Sequence, residues 1–203
     1  MLKNPQGPKK LYLTFDDGPN PPHTREILQI LKSNAAGATF FVCGKNAERH
    51  PETVKKILEQ GHALGNHSYS HARKNIFRGA IYDDFLRADS VLVKIAGEVG
   101  ASQSAPPRLA RAPWGKIRGS AKKKLEALGF QFFGWDLHAY DWWQPSAQWM
   151  AKRIISRARP GAIILLHDGK ETESGVSRSR TSQALKIFLP ALARQGYVFE
   201  KLG

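Results

Sequence analysis

Lys10-Leu11-Tyr12-Leu13-Thr14-Phe15 runs directly into Asp16-Asp17-Gly18-Pro19, and this junction decides how the rest of the chain is read. The first six residues are short, apolar and β-rich, so they read as a strand. Gly18-Pro19 then forces a turn. Two carboxylates therefore stand at the carboxyl end of a strand, and the arrangement recurs downstream. His67 and His71 follow a third short strand over 62–66, and Arg111 closes a weaker one over 108–112. Asp136 to Asp141 follow an aromatic strand over 130–135, and His167 ends the continuous apolar run 162–167. A second strand covers 38–42 and a last one 197–200.

Helical spacing fills the gaps, over 23–33, 51–60, 81–99, 120–128, 146–158 and 182–194. Pro51 opens one helix and Gly61 closes it; Ser120 is the expected N-cap of another, Gly129 its exit, and Pro190 a kink in the last. The stretches 101–107 and 169–181 read as loops. Strands separated by helices imply a parallel sheet, either doubly wound or closed into a barrel. Residues at the carboxyl ends of barrel strands converge on one mouth, which favours the barrel here. A complete eight-stranded barrel takes ~250 residues, so 203 residues suit a short or incomplete one of about seven strands, forming a single domain over 1–203.

Composition narrows the class. With 41% hydrophobic and 24% charged residues the chain is globular rather than disordered. No apolar run approaches the ~20 residues of a membrane span, so no transmembrane segment is expected. Lys plus Arg number 31 against 17 Asp plus Glu, a net charge of +14 that favours anionic partners. Lys9-Lys10, Lys55-Lys56 and Lys122 to Lys124 lack interleaved aromatic residues, so nucleic acid is not expected. Electrostatic association with anionic wall polymers is. The single cysteine, Cys43, reads as buried strand and excludes a thiolate zinc site. The start MLKNPQGPKK has no apolar run behind it, so no secretory signal is legible there.

The polar clusters carry chemistry of a definite kind. Adjacent carboxylates share a poorly solvated pocket only when something positive sits beside them. A divalent cation on one, with the other left as a base, resolves the conflict; the plain alternative is a solvated turn. Asn66-His67-Ser68-Tyr69-Ser70-His71 spaces two imidazoles so that a helical turn or tight loop aims both at one metal. Two histidines and one carboxylate leave coordination positions open, as a catalytic site requires. Spacing leaves open which aspartate takes which part.

The set Thr14-Phe15-Asp16-Asp17-Gly18-Pro19, His67-Ser68-Tyr69-Ser70-His71, Arg111-Ala112-Pro113-Trp114-Gly115, Asp141-Trp142 and Leu165-Leu166-His167-Asp168, in this order, resembles the NodB-homology polysaccharide deacetylases, carbohydrate esterase family 4. The resemblance runs from about Leu11 to Leu202. It implies an α/β fold, a distorted, incomplete (β/α) barrel, and a metal-dependent hydrolase that removes acetyl groups from acetylated polysaccharide or oligosaccharide. It also implies one divalent metal, commonly zinc, Zn2+, with cobalt, Co2+, able to substitute. Carried over motif by motif, Asp17, His67 and His71 are the implied metal ligands and Asp16 the general base. Arg111 would pair with Asp16, and the Trp114 backbone N–H would help stabilise an oxyanion. His167 would be the general acid, oriented by Asp141. Trp142 and Leu165 would line the slot for the acetyl methyl. Asp136, His138, Trp143 and His23 lie near these motifs without a role.

N-acetyl groups of N-acetylglucosamine in chitin-type chains, peptidoglycan or exopolysaccharide are the implied target. An O-acetyl xylan esterase on the same site and a non-catalytic carbohydrate-binding protein are the alternatives. The family favours secretion or wall association, with a cytoplasmic enzyme as the other reading.

Overall fold

A computed structural model describes residues 8–101, 108–173 and 175–203, so the expected 101–107 loop lies, past Ala101, outside the described residues. Strand β1 (Lys9–Asp16) leads to helix α1 (His23–Ser33), then β2 (Thr39–Val42), α2 (Gly44–Arg49), α3 (Pro51–Glu59) and β3 (Ala63–Asn66). Helices α4 (Arg73–Arg78) and α5 (Ile81–Gly97) precede β4 (Arg108–Ala110), α6 (Gly119–Ala127), β5 (Phe130–Phe132) and β6 (Leu137–His138). The chain ends with α7 (Ala147–Arg157), β7 (Ile163–His167), α8 (Ser179–Arg194) and β8 (Tyr197–Glu200).

All strand pairs are parallel, and the order is β5-β4-β3-β2-β1-β7-β6. That order is the cycle one to seven cut between β5 and β6. A doubly wound sheet would reverse direction at its switch point, and this one does not. The molecule is therefore an incomplete (β/α) barrel with seven strands along its path. Strand β8 is an addition at the foot, pairing with Lys9 to Tyr12 of β1.

The two-residue period of each strand sorts its side chains. Leu11, Leu13 and Phe15 of β1 join Ile27, Leu31 and Leu185 in the core between sheet and helices. The intervening Tyr12 packs with Phe41, Leu109, Phe133, Ile163 and Leu202 inside the barrel. Above that apolar plug the same inward face carries Thr14 and Asp16 on β1, and Leu165 and His167 on β7. The β1–β7 register pairs them as Thr14 with Leu165 and Asp16 with His167. The inward face thus changes from apolar to reactive along two adjacent strands.

Several local expectations are corrected. Ser120 lies within α6, whose N-cap is Arg118 without a side-chain bond. The expected strand over 130–135 stops at Phe132, where the barrel opens. Cys43 is buried as expected but stands one residue past β2, at the N-cap of α2. The helix expected from Ser146 starts at Ala147, with Ser146 as its N-cap accepting the Trp149 N–H. No described helix is long and apolar enough to cross a membrane.

Candidate active site

Asp17 stands just past β1, where strand alternation would aim it outward. Its φ of 74° breaks the alternation. Oδ1 comes to lie 3.5 Å from His67 Nε2 and 3.4 Å from His71 Nε2. The histidines arrive on a tight loop, not a helical turn, with left-handed φ at Ser68 and His71. The Ser68 N–H donates to Asn66 Oδ1, the His71 N–H to Ser68 Oγ, and the Tyr69 N–H to the Asp84 carbonyl on α5. His67 Nδ1 lies 2.8 Å from the Arg111 carbonyl, which fixes the proton on Nδ1 and leaves Nε2 as a lone-pair donor. Burial, with His71 alongside, pushes the His67 pKa down to about 3, so the ring is neutral as a ligand must be.

Asp17 Oδ1 and His71 Nδ1 are buried with no hydrogen-bond partner among the described residues. One carboxylate oxygen and two imidazole nitrogens within 4.8 Å of one another form a donor set suited to a divalent cation. The three side chains fit a metal, and they are the three expected as ligands.

Asp16 faces a different partner. Arg111, fully buried, donates from Nη1 to Asp16 Oδ1 at 2.8 Å and to Thr14 Oγ1 at 2.7 Å. Its Nη2 and Nε go to the Gly134 and Phe133 carbonyls, and the guanidinium lies 4.2 Å from the Phe41 ring centroid. A buried cation is tolerable only when so completely paired. Arg111 Nη1 alone pins one oxygen of Asp16, while Oδ2 stays 3.6 Å from His67 Nε2.

On the adjacent strand, His167 Nδ1 is 2.9 Å from Asp141 Oδ1, and the His167 backbone N–H donates to Oδ2 at 2.7 Å. Thr181 Oγ1 also donates to Oδ2. Burial disfavours the His167 cation, but the Asp141 carboxylate outweighs it, and with Asp17 and Asp16 raises its pKa to about 9. These groups open into a cleft of about 460 Å³, walled by Trp114, Trp135, Trp142 and Leu165. Trp114 has a φ of 57° and its ring packs 5.1 Å from His71.

The sequence pattern of the polysaccharide deacetylases matches residues 3–133. The chain belongs to the polysaccharide deacetylase family. A peptidoglycan-N-acetylglucosamine deacetylase of Bacillus cereus is 35% identical over 197 residues, 96% of this chain and 87% of that protein. A chitooligosaccharide deacetylase of Bradyrhizobium is 32% identical, over 97% of this chain and 90% of its own. Among solved structures, the peptidoglycan deacetylase PdaC from Bacillus subtilis superposes with a TM-score of 0.80 at 30% identity, covering 96% of this chain and 88% of that one.

Every residue singled out from the family motifs thus lies in or directly behind one cleft of this polysaccharide deacetylase. The unassigned neighbours do not line it. Asp136 pairs with Arg159 at 2.6 Å, outside the cleft, and His138 lies behind Trp142 with ring centroids 5.2 Å apart. His23 opens α1. Other members of the site escaped the sequence reading. Thr14 was legible in principle, two residues before Asp16 on one strand face. Arg178 was not, since it lies in the polar loop after His167. It is buried, donating to the Asp141 and Gly169 carbonyls. Lys170 and Glu171 from the same loop also line the cleft.

Proposed function

We propose that this polysaccharide deacetylase hydrolyses the N-acetyl group of N-acetylglucosamine units in a poly- or oligosaccharide, with zinc held by Asp17, His67 and His71. The observation that carries the reading is the pairing of Asp16 with Arg111 beside that of His167 with Asp141, at register-matched strand ends next to the metal-suited triad. Binding a sugar requires neither pair, so the arrangement argues for catalysis over recognition alone. A divalent cation in the triad would polarise the acetyl carbonyl and acidify an attacking water.

The side chains divide the remaining work. Asp16, clamped by Arg111 through one oxygen, has the other free to take the proton from water as it attacks. His167, protonated at neutral pH, returns a proton to the departing nitrogen from Nε2 while Nδ1 stays on Asp141. Acid and base must begin in opposite protonation states, and separate partners enforce this. The Trp114 N–H offers a donor for the developing oxyanion, a contribution typically of roughly 10²–10³ in rate. Trp142 and Leu165 shape the slot for the methyl group.

Product analysis on defined N-acetylated chitin oligomers and on peptidoglycan fragments tests this. Free amine and acetate should appear, stop on chelation and return with zinc or cobalt. Full turnover in protein shown metal-free by elemental analysis would overturn the mechanism. Release of acetate from acetylated xylan alone would overturn the N-acetyl assignment.

A further inference from the structure

The chain contains five tryptophans and none is in its core. Trp114, Trp135, Trp142, Trp143 and Trp149 are 45%, 37%, 37%, 73% and 47% exposed. Tryptophan is ordinarily among the more deeply covered side chains, so five exposed together need a reason. Three wall the cleft. The other two do not reach it, and they continue outward from it without a break.

The continuation is a built feature. The Trp142 ring stands edge-on to His167, centroids 5.6 Å apart, and 6.0 Å from Trp143. Trp143 stacks on Tyr140 at 5.1 Å with planes 7° apart, and Tyr140 lies 6.2 Å from Trp149. Arg153 lies 4.6 Å from Tyr140 and 5.8 Å from Trp149, its Nε anchored on the His138 carbonyl. The turn that presents the two indoles, 141–143, is bracketed by Tyr140 and Gln144, both with left-handed φ near 50° to 55°. Such backbone is costly for non-glycine residues and persists where surroundings impose it. Here it holds apolar rings towards water, the reverse of what burial would select.

We propose that Trp143 and Trp149, with Tyr140 packed between Trp143 and Arg153 as their support, form a glycan platform that extends the cleft and seats sugar residues beyond the one being deacetylated. The C–H faces of pyranose rings stack on aromatic faces, and a stripe that begins at the cleft wall and leads away from it matches a linear chain threaded through the site. The platform selects polymers over short fragments. It rests on the proposed function for its occupant, the substrate's own continuation, and the test separates the two.

Full-length wild type, Trp143→Ala, Trp143→Phe and Trp149→Ala are compared on N-acetylglucosamine dimer and pentamer. Wild type should favour the pentamer in kcat/KM. The pentamer-to-dimer ratio should fall about tenfold in Trp143→Ala and recover in Trp143→Phe. The ratio is insensitive to any loss of folded fraction. Tryptophan fluorescence titrations with the same oligomers read binding without turnover. Length-dependent binding lost in the alanine variants, with no oligomer hydrolysed by wild type, would sink the proposed function and leave the platform standing. An unchanged ratio and unchanged binding would overturn the platform. So would a concentration-dependent dimer, seen by sedimentation, that Trp143→Ala abolishes, since the stripe would then be covered by a second copy.

Discussion

His167 shows how one contact sets the chemistry of a residue. Free imidazole titrates near ~6.5 and would be mostly neutral at physiological pH, a poor acid. Asp141 at 2.9 Å raises it to about 9 against the pull of burial. Activity should therefore fall as pH rises towards about 9. Asp141→Asn should move that alkaline limb down towards ~6.5, read from kcat/KM against pH. The sign for stability runs the same way: the pair contributes fully below about 6.5 and is lost as pH rises through about 9. Leaving groups give a second test of the same residue. An amide nitrogen must be protonated before it departs, whereas an activated aryl alkoxide needs little help. His167→Ala should cost ~10²–10⁴ on N-acetyl sugars and far less on an aryl acetate. Equal losses on both would reassign His167 to shaping the pocket. Left-handed φ at Asp17, Ser68, His71 and Trp114 belongs to this scale too. Those at Asp17, His71 and Trp114 bring a group to the mouth and that at Ser68 shapes the loop between the histidines. Because the turn at Asp17 breaks the strand alternation, periodicity alone could not separate its part from that of Asp16.

The elements that carry these residues are locked together by small side chains. Gly18, after β1, passes so close to Asp168 that a Cβ there would lie 2.1 Å from its carboxylate. Asp168 is itself held by the Thr24 hydroxyl of α1 and, through its carbonyl, by Asn20. Gly169 approaches the Asp17 carbonyl as closely. The two loops that follow β1 and β7 thus interlock directly behind the metal-suited triad. Gly18→Ala should destabilise the fold by about 1–3 kcal/mol through overpacking, and weaken metal retention beyond what stability explains. A urea midpoint and a zinc titration, both unchanged, would refute the interlock. At this scale the long periodic elements were readable: α1 and β8 have the bounds the spacing implied, and α3, α5, α7 and β7 differ by a residue or two. The short ones were not. Helices α2 and α4 have six residues each, too few for an apolar stripe to repeat. Strand β6 has two residues and exists by pairing with β7, a contact no local pattern announces.

The whole barrel was legible in one respect and hidden in another. Polar residues after successive strands implied a shared mouth, and the cyclic strand order with one cut supplies it. Where the cut falls was not legible, because Phe130 to Trp135 has the aromatic composition of a full strand. The chain leaves the sheet at Phe132 so that the Phe133 and Gly134 carbonyls can accept from Arg111. A tertiary hydrogen bond outweighed strand propensity there. The same view of the molecule separates folding from metal binding. The main core links β1, β2, β7 and β8 to α1, α3, α7 and α8 without any of the three ligands, and Tyr12 and Phe41 close the barrel beneath the site. Asp17, His67 and His71 all stand above that plug, on loops already pinned by Asn46, Ser68 and Arg111. Removing metal should therefore abolish activity while leaving far-UV circular dichroism and cooperative unfolding in place. Unfolding stability should drop only by what ligand linkage gives, about 2.7 kcal/mol relative to protein at a free metal concentration of 100 Kd, with a matching fall in melting temperature. Near-UV signal from Trp114, beside His71, should change on chelation and return with zinc. Cooperative unfolding on chelation would instead make the metal a structural element, as in small zinc domains, and the barrel core would have to be judged insufficient alone.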